Sequence, residues 1–408
     1  MKIVVLTPHF APDTAPTGAV ITRIVEELAA RGHTIEVVTS LPWYREHRLE
    51  EGYEGKIVRR EDTAWGQIVR VHPFPTEDKR NIPRRALSFA GFSAVAGMVG
   101  RKGDDVDIVL AVSPPLTLGV DGWLIARARK GRFVFNIQDV YPDVAVKLGV
   151  LNNKALIAAA HRLETFCYQR ADAVTVLSDD LRDNLSRKTS HPERIHVIPN
   201  FVDTAWIRPM ERENGYRSEF GLTGKTVVMY AGNVGMSQSL DLVIHAAGAL
   251  SHLEDLVFVI NGQGAARDQL ERDARGLDNV VFVDTQPFER LPELLAAGDI
   301  HLVPLKKGLA SSSVPSKTYS ILAAGRPLIA SVDPGTEIAR LVERSGSGLA
   351  VPPEDPEIFT KAVQKLVEAP DDAAAMGAAG RAWVENWASP QAVAEAYEEL
   401  FQQLLAAR

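Results

Sequence analysis

The sequence predicts an α/β fold built from two doubly wound domains with parallel sheets. Short apolar runs alternate with longer amphipathic stretches along the 408 residues, which is the β-α-β pattern of such sheets. The runs are nearly continuous in Val, Ile and Leu, as expected for strands that helices cover on both faces. A chain of this length exceeds one compact core, so two domains are expected.

The predicted strands fall into two groups. Those of the first domain occupy residues 3–7, 34–39, 106–112, 133–137 and 173–177, and those of the second occupy 226–231, 256–261, 280–283, 300–304 and 328–331. Helical spacing of apolar residues extends over 21–31, 240–250 and 390–408. A break at 198–203, after a strand-like stretch at 195–198, separates domains 1–199 and 200–388. A C-terminal helix follows at 389–408.

Composition excludes several classes of protein. No apolar run reaches the roughly 20 residues that span a bilayer, and the N-terminus is too short for a signal peptide. Cys167 is the only cysteine, so an internal disulfide and a Cys-ligated zinc site are excluded and the cytosol is expected. Residues 1–199 carry a net charge of +3 and 200–408 one of −10. This balance argues against bulk nucleic-acid binding but lets the first half approach an anionic membrane.

Residues 311–327 carry the strongest functional signal. A hydroxyl-rich turn with Pro315 leads into a short helix whose first turn holds Lys317 and which Gly325 ends. Unpaired N–H groups at a helix start attract anions, whereas the helix dipole disfavours a lysine there. A bound phosphate would satisfy both. The alternative interpretation is a serine-capped helix with a solvated lysine.

The other candidate residues lie in loops after predicted strands, where doubly wound sheets bind ligands. The first loop, 7–19, lacks a G-x-G-x-x-G motif, which argues against a dehydrogenase. Its Gly18 would let a phosphate approach the backbone, or would only serve the turn. The second domain offers three loops at the same edge of its sheet. The first two hold the polar or glycine positions Gly232, Asn233, Gln238, Gly262, Gln263 and Gly264, and the third, with Gln286 and Phe288, would offer backbone groups to a base.

In the first domain, Gln138 and Asp139 follow a buried strand. Asp139 would orient a hydroxyl or accept a proton, or would only cap a helix or stabilise a turn. His9 is either a polar group facing the cleft or a loop histidine with structural partners. His161, His196 and Cys167 are interpreted as structural.

Residues 79–102 contain six basic groups and no acidic one around the uncharged stretch 86–99. This pattern suits a helix lying in a membrane interface, with Arg84, Arg85, Phe89 and Phe92 as membrane or acceptor contacts. The alternative is a core helix with basic ends.

These loops, together with IPNFVD at 198–203 and AAGRP at 323–327, resemble retaining glycosyltransferase family 4 over nearly the whole chain. LAARGH at 28–33 belongs to the same resemblance. VPSK at 314–317 and the pattern of Gly232, Asn233, Gly235 and Gln238 are similar to the fucosamine/fucose-type branch, which serves bacterial surface polysaccharide assembly.

The resemblance implies a GT-B fold, with two Rossmann-like domains facing a cleft and the C-terminal helix packed back on the first domain. The first domain would bind the acceptor and the second the donor. The implied activity is that of a hexosyltransferase. It would move a deoxy or N-acetylamino sugar from a nucleoside diphosphate sugar, UDP-linked, to a saccharide or undecaprenyl-diphosphate-linked acceptor with retention. Lys317 would replace a metal, and neither metal nor cofactor is expected. The protein would be cytoplasmic, at the inner membrane face.

The chain departs from the family pattern at three positions and in one loop, because the Arg/Lys pair that commonly binds the diphosphate is absent from the loop that holds Asn233. Ser312 and Ser320 stand where most members have glutamates, and Gln138 stands where they have a histidine. Donor contacts are therefore expected from Ser312, Ser313, Pro315, Ser316 and Ser320, with Lys317, Asp139 and Gln138 nearest the chemistry. Two other functions stay open: a UDP-sugar 2-epimerase of the same fold, and a catalytically silent nucleotide-binding scaffold.

Overall fold

The computed structural model of the chain describes residues 1–13, 15–44, 48–75, 82–147, 151–235, 237–309 and 317–407, with the backbone alone at 16, 82–87 and 147. The chain divides into two units, Met1–Asn200 with Pro390–Arg408, and Phe201–Ser389. Each unit has its own sheet and its own hydrophobic core.

The first unit is built on an eight-stranded sheet in the order β3-β4-β2-β1-β5-β6-β7-β8. All neighbours are parallel except the β3–β4 pair. Its elements are β1 (Lys2–Leu6), α1 (Pro16–Ala30), β2 (Thr34–Ser40), β3 (Val58–Thr63), β4 (Gly66–Val71), α2 (Ile82–Gly100), β5 (Ile108–Ser113), α3 (Thr117–Ala128), β6 (Arg132–Ile137), α4 (Asp143–Lys147), α5 (Lys154–Arg170), β7 (Ala173–Val176), α6 (Asp179–Ser186) and β8 (Ile195–Val197).

The second unit is built on a six-stranded, fully parallel sheet in the order β11-β10-β9-β12-β13-β14. Counted within the unit, this is the 3-2-1-4-5-6 order of the Rossmann fold, with its switch point between β9 and β12. Its elements are α7 (Gly215–Glu219), β9 (Thr226–Ala231), α8 (Asp241–Ala249), β10 (Leu256–Asn261), α9 (Arg267–Asp273), β11 (Val280–Val283), α10 (Leu291–Ala297), β12 (Ile300–Pro304), α11 (Lys317–Ala323), β13 (Leu328–Ser331), α12 (Glu337–Ser345), β14 (Gly348–Val351), α13 (Pro356–Glu368) and α14 (Pro370–Trp387).

The last helix, α15 (Pro390–Ala406), belongs to the first unit. Tyr397 is buried, and its hydroxyl accepts a hydrogen bond from Asn136 Nδ2 at 2.9 Å. Glu398 pairs with Arg31 at 2.9 Å and with His33 at 3.1 Å. The helix is therefore fastened to the first unit by apolar burial and by ion pairs.

Three strands escaped prediction, and two of them, β3 and β4, form a hairpin that lacks a continuous apolar run. β3 has the sequence VRREDT and alternates between exposed and half-buried residues, as an antiparallel strand at a sheet edge does. β4 continues that hairpin. β14 has only four residues and begins with a glycine.

The segment predicted to contact a membrane forms helix α2. The burial of Phe92 in this helix contradicts the predicted membrane contact of that residue. Phe92 is only 3% exposed, and Ala96 is fully buried in the core of the first unit. Phe92 therefore packs in the core and is not exposed to a membrane, because α2 covers the sheet and packs against α3. Phe89 is half-buried, and the side chains of Arg84 and Arg85 lie outside the described residues. None of the helices within the described ranges is long and apolar enough to cross a bilayer.

A buried carboxyl group on α3 makes the first unit sensitive to pH. Asp121 is 8% exposed, and burial raises its pKa from 3.8 to about 6. Between these values the unfolded chain is ionised while the folded chain retains the proton, so stability falls as pH rises through this window. We expect Asp121→Asn to raise the Tm above pH 6 and to have little effect below pH 3.8. Thermal unfolding across this range tests it, with the exposed Asp104→Asn as control. An equal Tm shift at every pH would contradict the assignment.

Candidate functional site

The best-defined candidate site lies at the carboxyl ends of β9 and β12, the switch point of the second sheet. Lys317 begins α11, which follows β12. Its Nζ lies 3.9 Å from the centroid of the Tyr230 ring, in a cation–π contact. Tyr230 is the penultimate residue of β9. The contact between Lys317 and Tyr230 therefore joins the end of β9 to the helix that follows β12.

The Lys317 side chain is half-buried, and its ammonium group is partly desolvated. Burial lowers its pKa from 10.5 to about 7. Within the described ranges, no carboxylate lies at ion-pair distance from it, and the aromatic face of Tyr230 is its recorded electrostatic partner. A buried cation without an anion is costly. An arriving phosphate would therefore be bound strongly at this position.

The loops around Lys317 pack too closely for side chains. Gly262 has φ +147°, and a Cβ there would lie 1.9 Å from the carbonyl oxygen of Gly232. Gly264 has φ +158°, and a Cβ there would lie 2.2 Å from the carbonyl oxygen of Val234. Glycine is thus required at both positions. The two glycines therefore allow the loops after β9 and β10 to pack directly against each other.

Hydrogen bonds fix the loop after β9. The Tyr230 hydroxyl donates to the carbonyl of Asn233 at 2.6 Å, and Val234 N donates to the carbonyl of Gln263 at 2.9 Å. Gln238 Oε1 accepts from Gly235 N at 3.1 Å. The predicted residues Gly232, Gln238, Gly262 and Gly264 therefore form one structure together with Lys317. Gln238 supports the loop from within, while Asn233 and Gln263 are exposed.

Two residues of this site were missed by sequence reasoning. Tyr230 was read as part of a buried strand. Arg267, at the start of α9, is nearly buried and donates to the carbonyls of Gly262 and Val283. A tyrosine directly before a glycine-rich loop was the available signal for the first, whereas nothing in the sequence distinguished the second.

The predicted base-contacting residues follow β11. Gln286 Oε1 accepts from Arg290 Nη1 at 2.8 Å, and its amide donates to the carbonyl of Asp284. Phe288 is 69% exposed and packs on Trp206, with ring centroids 4.5 Å apart. In α11, Ser320 is half-buried. The predicted contacts Ser312, Ser313, Pro315 and Ser316 lie outside the described residues.

In the first unit, Gln138 and Asp139 follow β6, and their side chains have different surroundings. Gln138 is 8% exposed, donates to Asn136 Oδ1 at 2.7 Å and accepts from Asn200 at 2.9 Å. The nitrogen and the oxygen of this amide both hydrogen-bond to protein groups. The predicted contact of Gln138 with substrate is therefore not supported by its surroundings. Asp139 is half-buried, and burial raises the pKa of its carboxyl group. No residue of the described ranges hydrogen-bonds that carboxyl group.

Gly18 lies near the start of α1, and a Cβ there would come within 2.9 Å of His9 Cβ. The glycine thus permits close packing between α1 and the loop after β1. No phosphate contact is needed to explain it.

One group of side chains in the described part of the chain has the arrangement of metal ligands, namely Asp143, His161 and Glu164. Lys188 Nζ lies between the carboxylates, 2.8 Å from Asp143 and 2.9 Å from Glu164. The lysine supplies the positive charge that these carboxylates need, so the group is an ion-pair network that links α4, α5 and the end of α6.

Comparison with known families identifies the class of protein. Residues 17–200 match the family described as "Glycosyl transferase 4-like domain", and residues 225–369 match "Glycosyl transferases group 1". The chain is a glycosyltransferase of the family 4 type with the GT-B fold. Its class is therefore that of a transferase and not of an epimerase.

The chain is similar to a curated relative in sequence and to solved structures in fold. The chain is 29% identical over 382 residues to the "Putative colanic acid biosynthesis glycosyl transferase WcaI" of Escherichia coli K12, covering 91% of this chain and 93% of that protein. Sucrose-phosphate synthase from Thermosynechococcus elongatus superposes with a TM-score of 0.72 at 19% identity, over the full length of both chains. Anabaena HepE, solved in complex with UDP-glucose, gives a TM-score of 0.68 at 14% identity, covering 99% of this chain and 100% of that one.

Proposed function

We propose that the protein transfers a sugar from a UDP-linked donor to a lipid-linked saccharide in cell-surface polysaccharide biosynthesis, with retention and without a metal. The second unit binds the donor and the first binds the acceptor. The observation that carries the donor site is Lys317, a desolvated cation held against Tyr230 beside the loops of Gly232 and Gly262 at a sheet switch point.

Lys317 supplies the electrostatic part of the mechanism. When the bond between the sugar and the diphosphate breaks, its electron pair goes to the β-phosphate, and negative charge grows there. A cation fixed at this place stabilises that charge more in the transition state than in the bound substrate. The start of α11 adds the positive end of a helix dipole. This arrangement replaces the divalent ion that other transferases use.

Two relatives support the choice of donor and pathway. HepE binds UDP-glucose in its solved structure, and the name of the E. coli relative places that protein in colanic acid biosynthesis. The resemblance of residues 314–317 to the fucosamine/fucose-type branch supports a deoxy or N-acetylamino sugar as the transferred group.

A thermal-shift screen tests the donor proposal. UDP and UDP-sugars should raise the Tm, because a ligand that binds only the folded state stabilises it by about 2.7 kcal/mol at 100 times its Kd. GDP, ADP and their sugars should give smaller shifts at equal concentration. Addition of EDTA should leave the UDP shift unchanged. A shift that needs added Mg²⁺, or a larger shift with GDP, would overturn the corresponding part of the proposal.

Binding to anionic vesicles tests the acceptor side. Arg84 and Arg85 lie in the first turn of α2, after a segment that also carries Lys79 and Arg80. We expect wild-type protein to float with phosphatidylglycerol vesicles and the Arg84→Glu/Arg85→Glu variant to lose most of this binding, since each basic residue contributes about 1 kcal/mol. Reversal of the exposed Arg162 and Arg187 on the same unit is the matched control. Equal flotation of both double variants would contradict a role for this segment.

A further inference from the structure

A histidine and a buried aspartate form a pair in the loop after β1. His9 Nδ1 lies 2.7 Å from Asp13 Oδ2; the Asp13 side chain is fully buried, and that of His9 is 13% exposed. Asp13 Oδ1 accepts a hydrogen bond from Tyr44 N at 3.2 Å. His9 stacks on Trp43, with centroids 5.7 Å apart, and meets the edge of Tyr44. The imidazole ring is thus fixed in both position and orientation.

The backbone of this loop is also fixed from several sides. Ser40 Oγ donates to the carbonyl of Pro8 at 2.6 Å, and Arg70 Nη2 donates to the carbonyl of Ala11 at 2.6 Å. Ala11 N donates to Thr22 Oγ1 at 2.9 Å. The contacts come from β2, β4 and α1. The loop is therefore preorganised around His9, as binding sites generally require.

The location distinguishes this pair from the other histidine–carboxylate pairs in the described chain. β1 lies between β2 and β5 at the switch point of the first sheet, where doubly wound sheets bind ligands. His33, which pairs with Glu398, precedes β2 at the opposite edge of the sheet. The pairs of His161 with Glu164 and of His191 with Glu193 lie on α5 and beside a 3₁₀ turn. Within the described ranges, His9 is the histidine held by a carboxylate at this edge.

Unsatisfied polar groups surround the same edge. Thr39 Oγ1, near the end of β2, and Ser113 Oγ, at the end of β5, are buried and hydrogen-bond to nothing in the described chain. Both strands are direct neighbours of β1. Buried hydroxyls without partners are uncommon in folded proteins. Both hydroxyls therefore lie at the same edge of the sheet as the loop that holds His9.

The hydrogen bond between His9 and Asp13 determines which kind of ligand His9 can bind. In the neutral imidazole, a carboxylate at Nδ1 requires that this nitrogen carry the proton, which leaves a lone pair on Nε2. No group of the described chain occupies Nε2. We propose that His9, oriented by Asp13, is an acceptor-binding residue whose Nε2 accepts a hydrogen bond from a sugar hydroxyl of the acceptor. Asp13 is the positioning residue, and the inference rests on the proposed glycosyl transfer.

Side-chain ¹⁵N spectra of the full-length protein test the proposal without a known acceptor. His9 should show the Nδ1–H tautomer, and Asp13→Asn should abolish this preference. Methyl pyranosides of glucose, galactose, fucose and N-acetylglucosamine serve as probes. At least one should shift the Nε2 resonance of His9, with that of His191 unmoved. An Nε2–H tautomer, or no response to any of the four sugars, would overturn the proposal.

Two isosteric variants separate recognition from a structural role. The side-chain amide of Asn at position 9 would lie near the position of His9 Nδ1. That of Gln would lie near the position of His9 Nε2. For the acceptor, His9→Leu and His9→Asn should lower kcat/KM by about 10- to 100-fold, the effect of one lost hydrogen bond to a substrate. His9→Gln should recover much of this loss, and the control His191→Leu should have no effect. Full activity of His9→Asn with loss in His9→Gln would show that the pair only supports the loop.

The UDP-induced thermal shift separates this inference from the proposed function. It should be the same in wild type and in all His9 variants, because the donor binds to the other unit. Absence of that shift in the wild type would refute the donor proposal. The spectroscopic test of sugar binding by His9 would remain valid, because it does not depend on UDP. A shift reduced by the His9 variants would contradict acceptor binding by His9.

Discussion

Replacing Lys317 by methionine lowers kcat/KM by about 30- to 1,000-fold, since removal of one preorganised electrostatic group costs about 2–4 kcal/mol in the barrier. Methionine keeps the length of the side chain and its contact with Tyr230 but removes the charge. The loss should fall on kcat more than on KM, because the β-phosphate gains charge in the transition state. Steady-state kinetics with a UDP-sugar measure both parameters.

The same variant should be more stable than the wild type. Burial lowers the pKa of Lys317 to about 7 from 10.5. The unfolded chain therefore binds more protons between these values, and the free energy of unfolding rises with pH in this window. Removing the ammonium removes that cost, so the Tm of Lys317→Met should exceed that of the wild type near pH 7 and approach it toward pH 10.5. The control is Lys307→Met, an exposed lysine in the loop after β12. A Tm below that of the wild type, or unchanged kinetics, would contradict the role.

Gly262→Ala should abolish nucleotide binding and destabilise the second unit. The added Cβ would lie 1.9 Å from the Gly232 carbonyl oxygen, with φ at +147°. Either the Gly232 loop moves away or the backbone of residue 262 changes conformation, and each costs about 1–3 kcal/mol or more. Both changes displace the loop that packs against Lys317. Thermal unfolding and UDP titration measure the two effects.

The matched control is Gly248→Ala in the same unit. Gly248 lies in α8, and a Cβ there would meet Leu277 at the ordinary contact distance of 3.8 Å. Alanine in a helix is favoured over glycine by about 1 kcal/mol, so this variant should keep or raise the Tm and bind UDP normally. If Gly262→Ala bound UDP as well as Gly248→Ala does, the close packing of the two loops would have no functional role.

Most of the fold was predictable because strands of a parallel sheet are apolar on both faces. The predicted strands 226–231, 256–261 and 300–304 have the bounds of β9, β10 and β12. β3 could not be found in this way, since its charged residues suit an edge strand. Phe92 was misassigned because α2 is rich in Gly, Ala and Ser, so its sequence does not show which face is buried.

The candidate site was predictable where a residue follows a strand. Gly262 and Gly264 met this condition, whereas Lys317 was indicated by the hydroxyl-rich turn that leads into its helix. Tyr230 was missed, because an aromatic residue within a strand is ordinarily a core residue, and its contact with Lys317 depends on the order of the strands. The pairing of His9 with Asp13 likewise depends on contacts from β2, β4 and α1, which no local pattern encodes.

The central claim is that Lys317 binds the donor diphosphate, and calorimetry of UDP binding tests it directly. At about pH 8 the free Lys317 side chain is mostly neutral, since its pKa is about 7, and a bound diphosphate would raise that pKa. Titration in buffers of different ionisation enthalpy should reveal uptake of nearly one proton per UDP. Lys317→Met should show weaker binding and no uptake. Tight binding of UDP to the wild type without proton uptake, or equal affinity in the variant, would contradict the claim.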